Sequence, residues 1–140
     1  MKAIRFLLVS AVLFAVALAW NGVVHGSLLK GTDASVRHLW RANLGEMMPV
    51  SIAVTIGVVM VFVWGYRRFA RNNSLREALT YGLFFGLTAG LLVDLNQFFL
   101  YPIPFSAVWT WVLAGVVEFV LYALLLSRLY PPAGRPTVGH

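Results

Sequence analysis

Two carboxyl side chains, Asp94 and Glu118, stand inside long apolar runs of this sequence, and Asn21, His25 and Thr55 lie in similar runs. A charge near the centre of a membrane-spanning helix costs about 2.5 to 3.5 kcal/mol even on lenient insertion scales, so such groups persist where they have a partner or a task. Counted at about 1.5 Å per residue, Asn21, His25, Thr55 and Asp94 fall within the outer third to half of a bilayer, where they can form one polar cluster facing the outer side. Glu118 lies deeper, roughly 20 Å from the start of its run. Trp111, Gly115, Glu118 and Tyr122 follow helical spacing, which turns the carboxyl into a bundle between an aromatic ring and the gap beside a glycine. Two kinds of chemistry follow. In one, Asp94 and Glu118 tie neighbouring helices through hydrogen bonds to Asn21, His25 or Thr55, each worth about 1 kcal/mol. In the other, they take up a proton or a substrate in a pocket open to the outer side.

Other chemistry has less behind it. A metal set can be drawn from His25, Glu46, Met47, Met48, Asp94 and Glu118, but no H-x-x-x-H or E-x-x-H spacing occurs, and one histidine per site is a thin ligand set. No metal or other cofactor is expected. Cysteine is absent, which excludes disulfides and thiol chemistry. There is no Gly-rich phosphate loop, G-x-S-x-G or H-E-x-x-H, so a membrane enzyme would have to use His25 and Asp94 as acid and base. His38 and His140 read as solvated.

The elements that must hold these groups follow from composition. The 140 residues are 60% hydrophobic and 11% charged, with a mean hydropathy of +0.80, far from the soluble balance of about 25% charged. Four apolar runs, Ile4 to Leu29, Met47 to Tyr66, Ala78 to Tyr101 and Phe105 to Leu129, each reach the roughly 20 helical residues that cross a bilayer. Lipid leaves no bare backbone satisfied and period-two alternation is absent, so the runs are helices. The first ends its core in Ala17-Leu18-Ala19, a cleavage-like pattern, yet stays apolar through Leu29 and is read as a retained helix. The fold expected is an all-α transmembrane, antiparallel four-helix bundle over residues 1–130, followed by a flexible cytoplasmic tail over 131–140, where Pro131, Pro132, Gly134 and Pro136 prevent regular helix.

Eight of the eleven cations, Lys2, Arg5, Arg67, Arg68, Arg71, Arg76, Arg128 and Arg135, fall on one side, against Lys30, Arg37 and Arg41 on the other. The larger set marks the cytoplasmic side, with both termini there. The net charge of +6 is therefore topology and not a nucleic-acid face. Between the first two runs, Thr32 or Asp33 can cap a short interfacial helix in which Val36, Leu39, Trp40 and Asn43 share a face and Gly45 ends it. Tyr101-Pro102-Ile103-Pro104 is a tight connection that makes the third and fourth helices antiparallel neighbours.

The third run carries Ala78, Gly82, Gly86, Gly90 and Asp94 at four-residue intervals. Glycine lets a second helix backbone approach closely, so Gly82, Gly86 and Gly90 form a packing face, either within the protomer or between protomers.

Trp20-Asn21 with His25-Gly26, Leu39-Trp40-Arg41, Tyr81-Gly82 with Gly86, and Tyr101-Pro102-Ile103-Pro104 resemble a family of small bacterial four-helix inner-membrane proteins. The resemblance implies a fold and a bacterial inner membrane, and no catalytic or binding role. The function expected is that of a non-enzymatic membrane protein acting through helix packing, among membrane lipids, as a homo-oligomer or an accessory subunit of a larger membrane assembly. The alternative is a small proton- or cation-coupled transporter or channel with an outward-facing polar pocket; a membrane-embedded enzyme comes third.

Overall fold

The computed structural model of the protein describes residues 2–130; the tail expected over 131–140 lies outside them. The described chain is helical, and its elements in order are α1 (Lys2–Val23), α2 (Lys30–Val36), α3 (Met48–Phe69), α4 (Leu75–Ala89), α5 (Asn96–Leu100) and α6 (Phe105–Leu129). A π-helical turn, Val24–Leu28, extends α1, and another, Gly90–Leu95, joins α4 to α5 in one continuous third span. Four helices are long and apolar enough to cross a membrane, over Ala3–Leu28, Leu44–Phe69, Leu75–Leu100 and Phe105–Leu129. This is an integral, multi-pass membrane protein. Its outward side chains agree: Leu7, Leu8, Val61, Phe84, Leu92 and Phe99 are all more than half exposed, which only an apolar solvent makes favourable on this scale.

The end of the bundle holding Arg5 and Arg67 is filled. Leu13, Phe62, Tyr66, Tyr81, Tyr122 and Leu126 form a buried core there, with Phe62 in contact with the rings of Tyr81, Phe85, Phe119 and Tyr122 at 4.9 to 6.0 Å. The connection between α3 and α4 is pinned to this core. Asn73 adopts a left-handed backbone (φ 52°), accepts from the Tyr66 hydroxyl at 2.7 Å and donates to the Ser127 carbonyl at 2.7 Å. Ser74 and Glu77 then close a reciprocal capping box that starts α4. Arg5 donates to the Leu129 carbonyl, and both Arg5 and Arg67 sit over the Tyr130 ring.

The third span and α6 are the closest pair. A Cβ on Gly82 would stand 2.7 Å from the Val120 Cα, one on Gly86 would stand 2.8 Å from the Val116 Cα, and one on Gly90 would stand 2.9 Å from the Val112 side chain. The glycine face is thus occupied inside the protomer, where close backbone approach gains van der Waals packing in a solvent that gives helices no hydrophobic drive to associate. The tight connection behaves as its prolines require: Tyr101 leaves helical geometry, Pro104 caps α6, and the buried Ile103 folds beneath α2.

The region between the first two spans differs from its expected form. Its helix starts at Lys30, earlier than a Thr32 or Asp33 cap allows, and ends at Val36. A 3-10 turn, Arg37–Leu39, follows, Trp40 is extended, and Gly45 lies within a second turn, Leu44–Met47. The reason is tertiary: Asp33 is buried and spends its carboxylate on α1 and α6 instead of on its own helix end, and Val36 packs on Ile103, Val108 and Val112.

Candidate functional site

Between the filled core at one end and the small cluster under α2 at the other lies a cavity of about 900 Å³. That volume falls in the range of roughly 300 to 1,000 Å³ that holds small-molecule ligands. It extends from Asp33 and Trp40 at the α2 end to Glu118 and Phe119 inside the bundle. Trp20, Asn21, Val24 and His25 line it from α1 and its π-helical extension; Trp111, Ala114, Gly115 and Glu118 line it from α6. Gly115 and Gly57 help keep the space open, since a Cβ on either would meet nothing within 4 Å.

Four of the five polar residues singled out in the apolar runs, Asn21, His25, Asp94 and Glu118, face this one cavity. Thr55 does not. Its hydroxyl donates to the Ser51 carbonyl one turn back at 2.9 Å, and it lies on the α3 stripe that continues through Val59 and Phe62, whereas Val54, Gly57, Val58 and Val61 form the adjoining stripe that lines the cavity. At about 100° per residue, neighbouring positions on a helix serve different faces.

Glu118 sits at the floor. Its Oε1 accepts from the Tyr122 hydroxyl, one turn along α6, and from Asn21 Nδ2 at 3.3 Å; the same Asn21 amide also donates to the Ala17 carbonyl at 2.9 Å. Among the described residues Oε2 has no hydrogen-bond partner, so one face of the carboxyl is left for whatever occupies the cavity. Below it the rings of Phe62, Phe85, Phe119 and Tyr122 close the bundle. The cavity therefore stops at these rings and extends from Glu118 towards the α2 end.

His25 and Asp94 each lie on a π-helical turn. Such a turn widens the helix, as the 2.7 Å bond from the Leu29 amide to the Val24 carbonyl, five residues back, shows for the first. Turns of this kind recur where a helix must re-aim a side chain at a functional site. Gly90, at the start of the second, still packs on Val112, while Asp94, four residues on, faces the cavity with no hydrogen-bond partner among the described residues.

The acid–base pairing of His25 with Asp94, inferred from their similar depth, is not what the fold builds. His25 Nδ1 lies 2.7 Å from Asp33 Oδ2, and Trp111 Nε1 donates to Asp33 Oδ1 at 3.2 Å. The contact orients the ring, with Nδ1 towards the carboxylate and Nε2 away from it. Asp33 is the residue that sequence reasoning missed as part of the site. Its position in a polar connection makes it look like a helix cap, and only the return of α2 against α1 and α6 reveals its partners. Among the described residues no three His, Asp or Glu side chains converge as metal ligands. No protein-family model, curated protein or solved structure matches the chain.

Proposed function

We propose that the protein is a small proton- or cation-coupled transporter or channel of a bacterial inner membrane, with the α2 end outward and Glu118 and Asp94 as the groups that receive the translocated species. The observation that carries this reading is the cavity, which brings Asn21, His25, Asp94 and Glu118 together and reaches Glu118 from the α2 end. A scaffold acting only through packing has no need of such a space. Its chief sequence support, the glycine face, is taken up between the third span and α6. Arg5, Arg67 and Arg68 at the filled end support placing that end in the cytoplasm. Closure of that half by aromatic rings is what an outward-open site requires if access is to alternate.

The test uses the full chain in vesicles with a trapped pH indicator and an imposed proton gradient. Wild-type protein is expected to conduct or couple protons, and Glu118→Gln to reduce the rate to that of protein-free vesicles while leaving insertion and the elution profile intact. Equal rates for the two proteins overturn the reading.

A further inference from the structure

The groups around the cavity point to a class of ligand. Asp33, Asp94 and Glu118 face it, and among the described residues no lysine or arginine lines it. Asp33 is already engaged by His25 and Trp111, whereas Asp94 and the Oε2 of Glu118 have no partner among the described residues. Five aromatic side chains, Trp20, Trp40, Trp111, Phe85 and Phe119, share the lining. Aromatic faces attract positive charge, most strongly where water is scarce, and a nearby carboxylate supplies the counter-charge. A bare metal ion would ask instead for several converging ligands, and among the described residues no three His, Asp or Glu side chains gather as such a set.

The wall is also thin on one side. The α3 helix meets α4 where Tyr81 donates to the Phe62 carbonyl at 2.9 Å and stacks on Phe62 and Phe69. Towards the α2 end, Val54, Val58 and Val61 of α3 and Val93 of the third span line the cavity and yet are 60, 39, 57 and 54% exposed. Side chains that border the cavity and are this exposed leave the wall between these two spans about one side chain thick, at a depth where the surroundings are hydrocarbon.

Building on the cavity as a ligand site, we infer that it takes a lipophilic organic cation, an aromatic or alkyl body bearing a single positive charge, which passes sideways from the bilayer between α3 and the third span and sets its charge against Asp94 and Glu118. The apolar valines then receive the body, and the aromatic rings and carboxylates receive the charge.

A matched pair of probes decides the point. Tetraphenylphosphonium and tetraphenylborate are similar in size and lipophilicity and opposite in charge. With the full chain in lipid nanodiscs and empty nanodiscs subtracted, tetraphenylphosphonium is expected to bind saturably, at one per chain, and to quench tryptophan fluorescence. Tetraphenylborate is expected not to bind. Glu118→Gln and Asp94→Asn should each weaken phosphonium binding by about 30-fold or more, the usual consequence of removing one partner of a desolvated charge pair. Should either variant fail to insert, the other carries the test, and the comparison of the two probes on wild-type protein stands without them. Equal binding of both probes, or phosphonium binding unchanged in both variants, overturns the assignment. Glu118-dependent proton flux without phosphonium binding sinks this ligand class and leaves the transport reading; phosphonium binding without flux does the reverse.

Discussion

The imidazole of His25 and the carboxylate of Asp33, eight positions apart, meet at 2.7 Å and tie the end of the first span to α2. Trp111 holds the other carboxylate oxygen from α6. Asp33→Ala removes the acceptor from both, leaving the indole N–H in a partly buried site without its partner. The expected cost is about 1 to 3 kcal/mol, read as a lowered unfolding temperature in detergent. Amide exchange over residues 30–39 should accelerate at the same time, because α2 loses its attachment to two spans. Unchanged exchange there would show that Val36 alone holds α2 down.

The glycines divide into two groups with opposite tolerance. Gly82 faces Val120 Cα at 2.7 Å and the Phe119 carbonyl at 2.8 Å from a would-be Cβ, and backbone cannot rotate away. Gly82→Ala should therefore force α4 from α6 and cost about 1 to 3 kcal/mol. Gly115→Ala, with nothing within 4 Å, should leave stability unchanged and narrow the cavity. Thermal unfolding of both variants in one detergent makes the comparison, and equal midpoints would contradict the packing described here.

Asn73 combines a left-handed backbone with two side-chain bonds, to Tyr66 and to the Ser127 carbonyl. Asn73→Ala should lose on the order of 2 kcal/mol from the left-handed strain and the orphaned partners together. Asn73→Gly relieves the backbone and not the bonds, so its loss should be smaller. Denaturation midpoints that rank the other way would assign the position's role to the side chain alone.

Thr55→Val is expected to change nothing beyond about 0.5 kcal/mol in stability. Phosphonium binding should also be unaffected, since the hydroxyl serves its own helix and stands outside the cavity. A clear loss of binding in this variant would place the ligand on the wrong side of α3.

Several features could be read without coordinates. In lipid, length and hydropathy decide which segments cross, so the four spans, the sharp turn at Pro102 and Pro104 and the all-α class were legible from residues alone. Spacing likewise exposed Gly82, Gly86 and Gly90 as one face and turned Glu118 inward beside Tyr122. The pairing of His25 was not legible. Depth along a helix places a residue on one axis, and many partners share that depth; choosing among them depends on how the helices rotate about their axes.

The amino-acid order by itself determined that this chain lives in a membrane, crosses it four times and carries a few ionisable groups inside its spans, because transfer into hydrocarbon is a property of each segment taken alone. Tertiary structure decided which faces meet: that the glycines serve α6, that Asp33 leaves its helix end for His25 and Trp111, that Thr55 turns aside, and that the spans part around a cavity above Glu118. Those outcomes depend on contacts as distant as the 78 positions between Asp33 and Trp111, and such contacts exist only once the helices are packed.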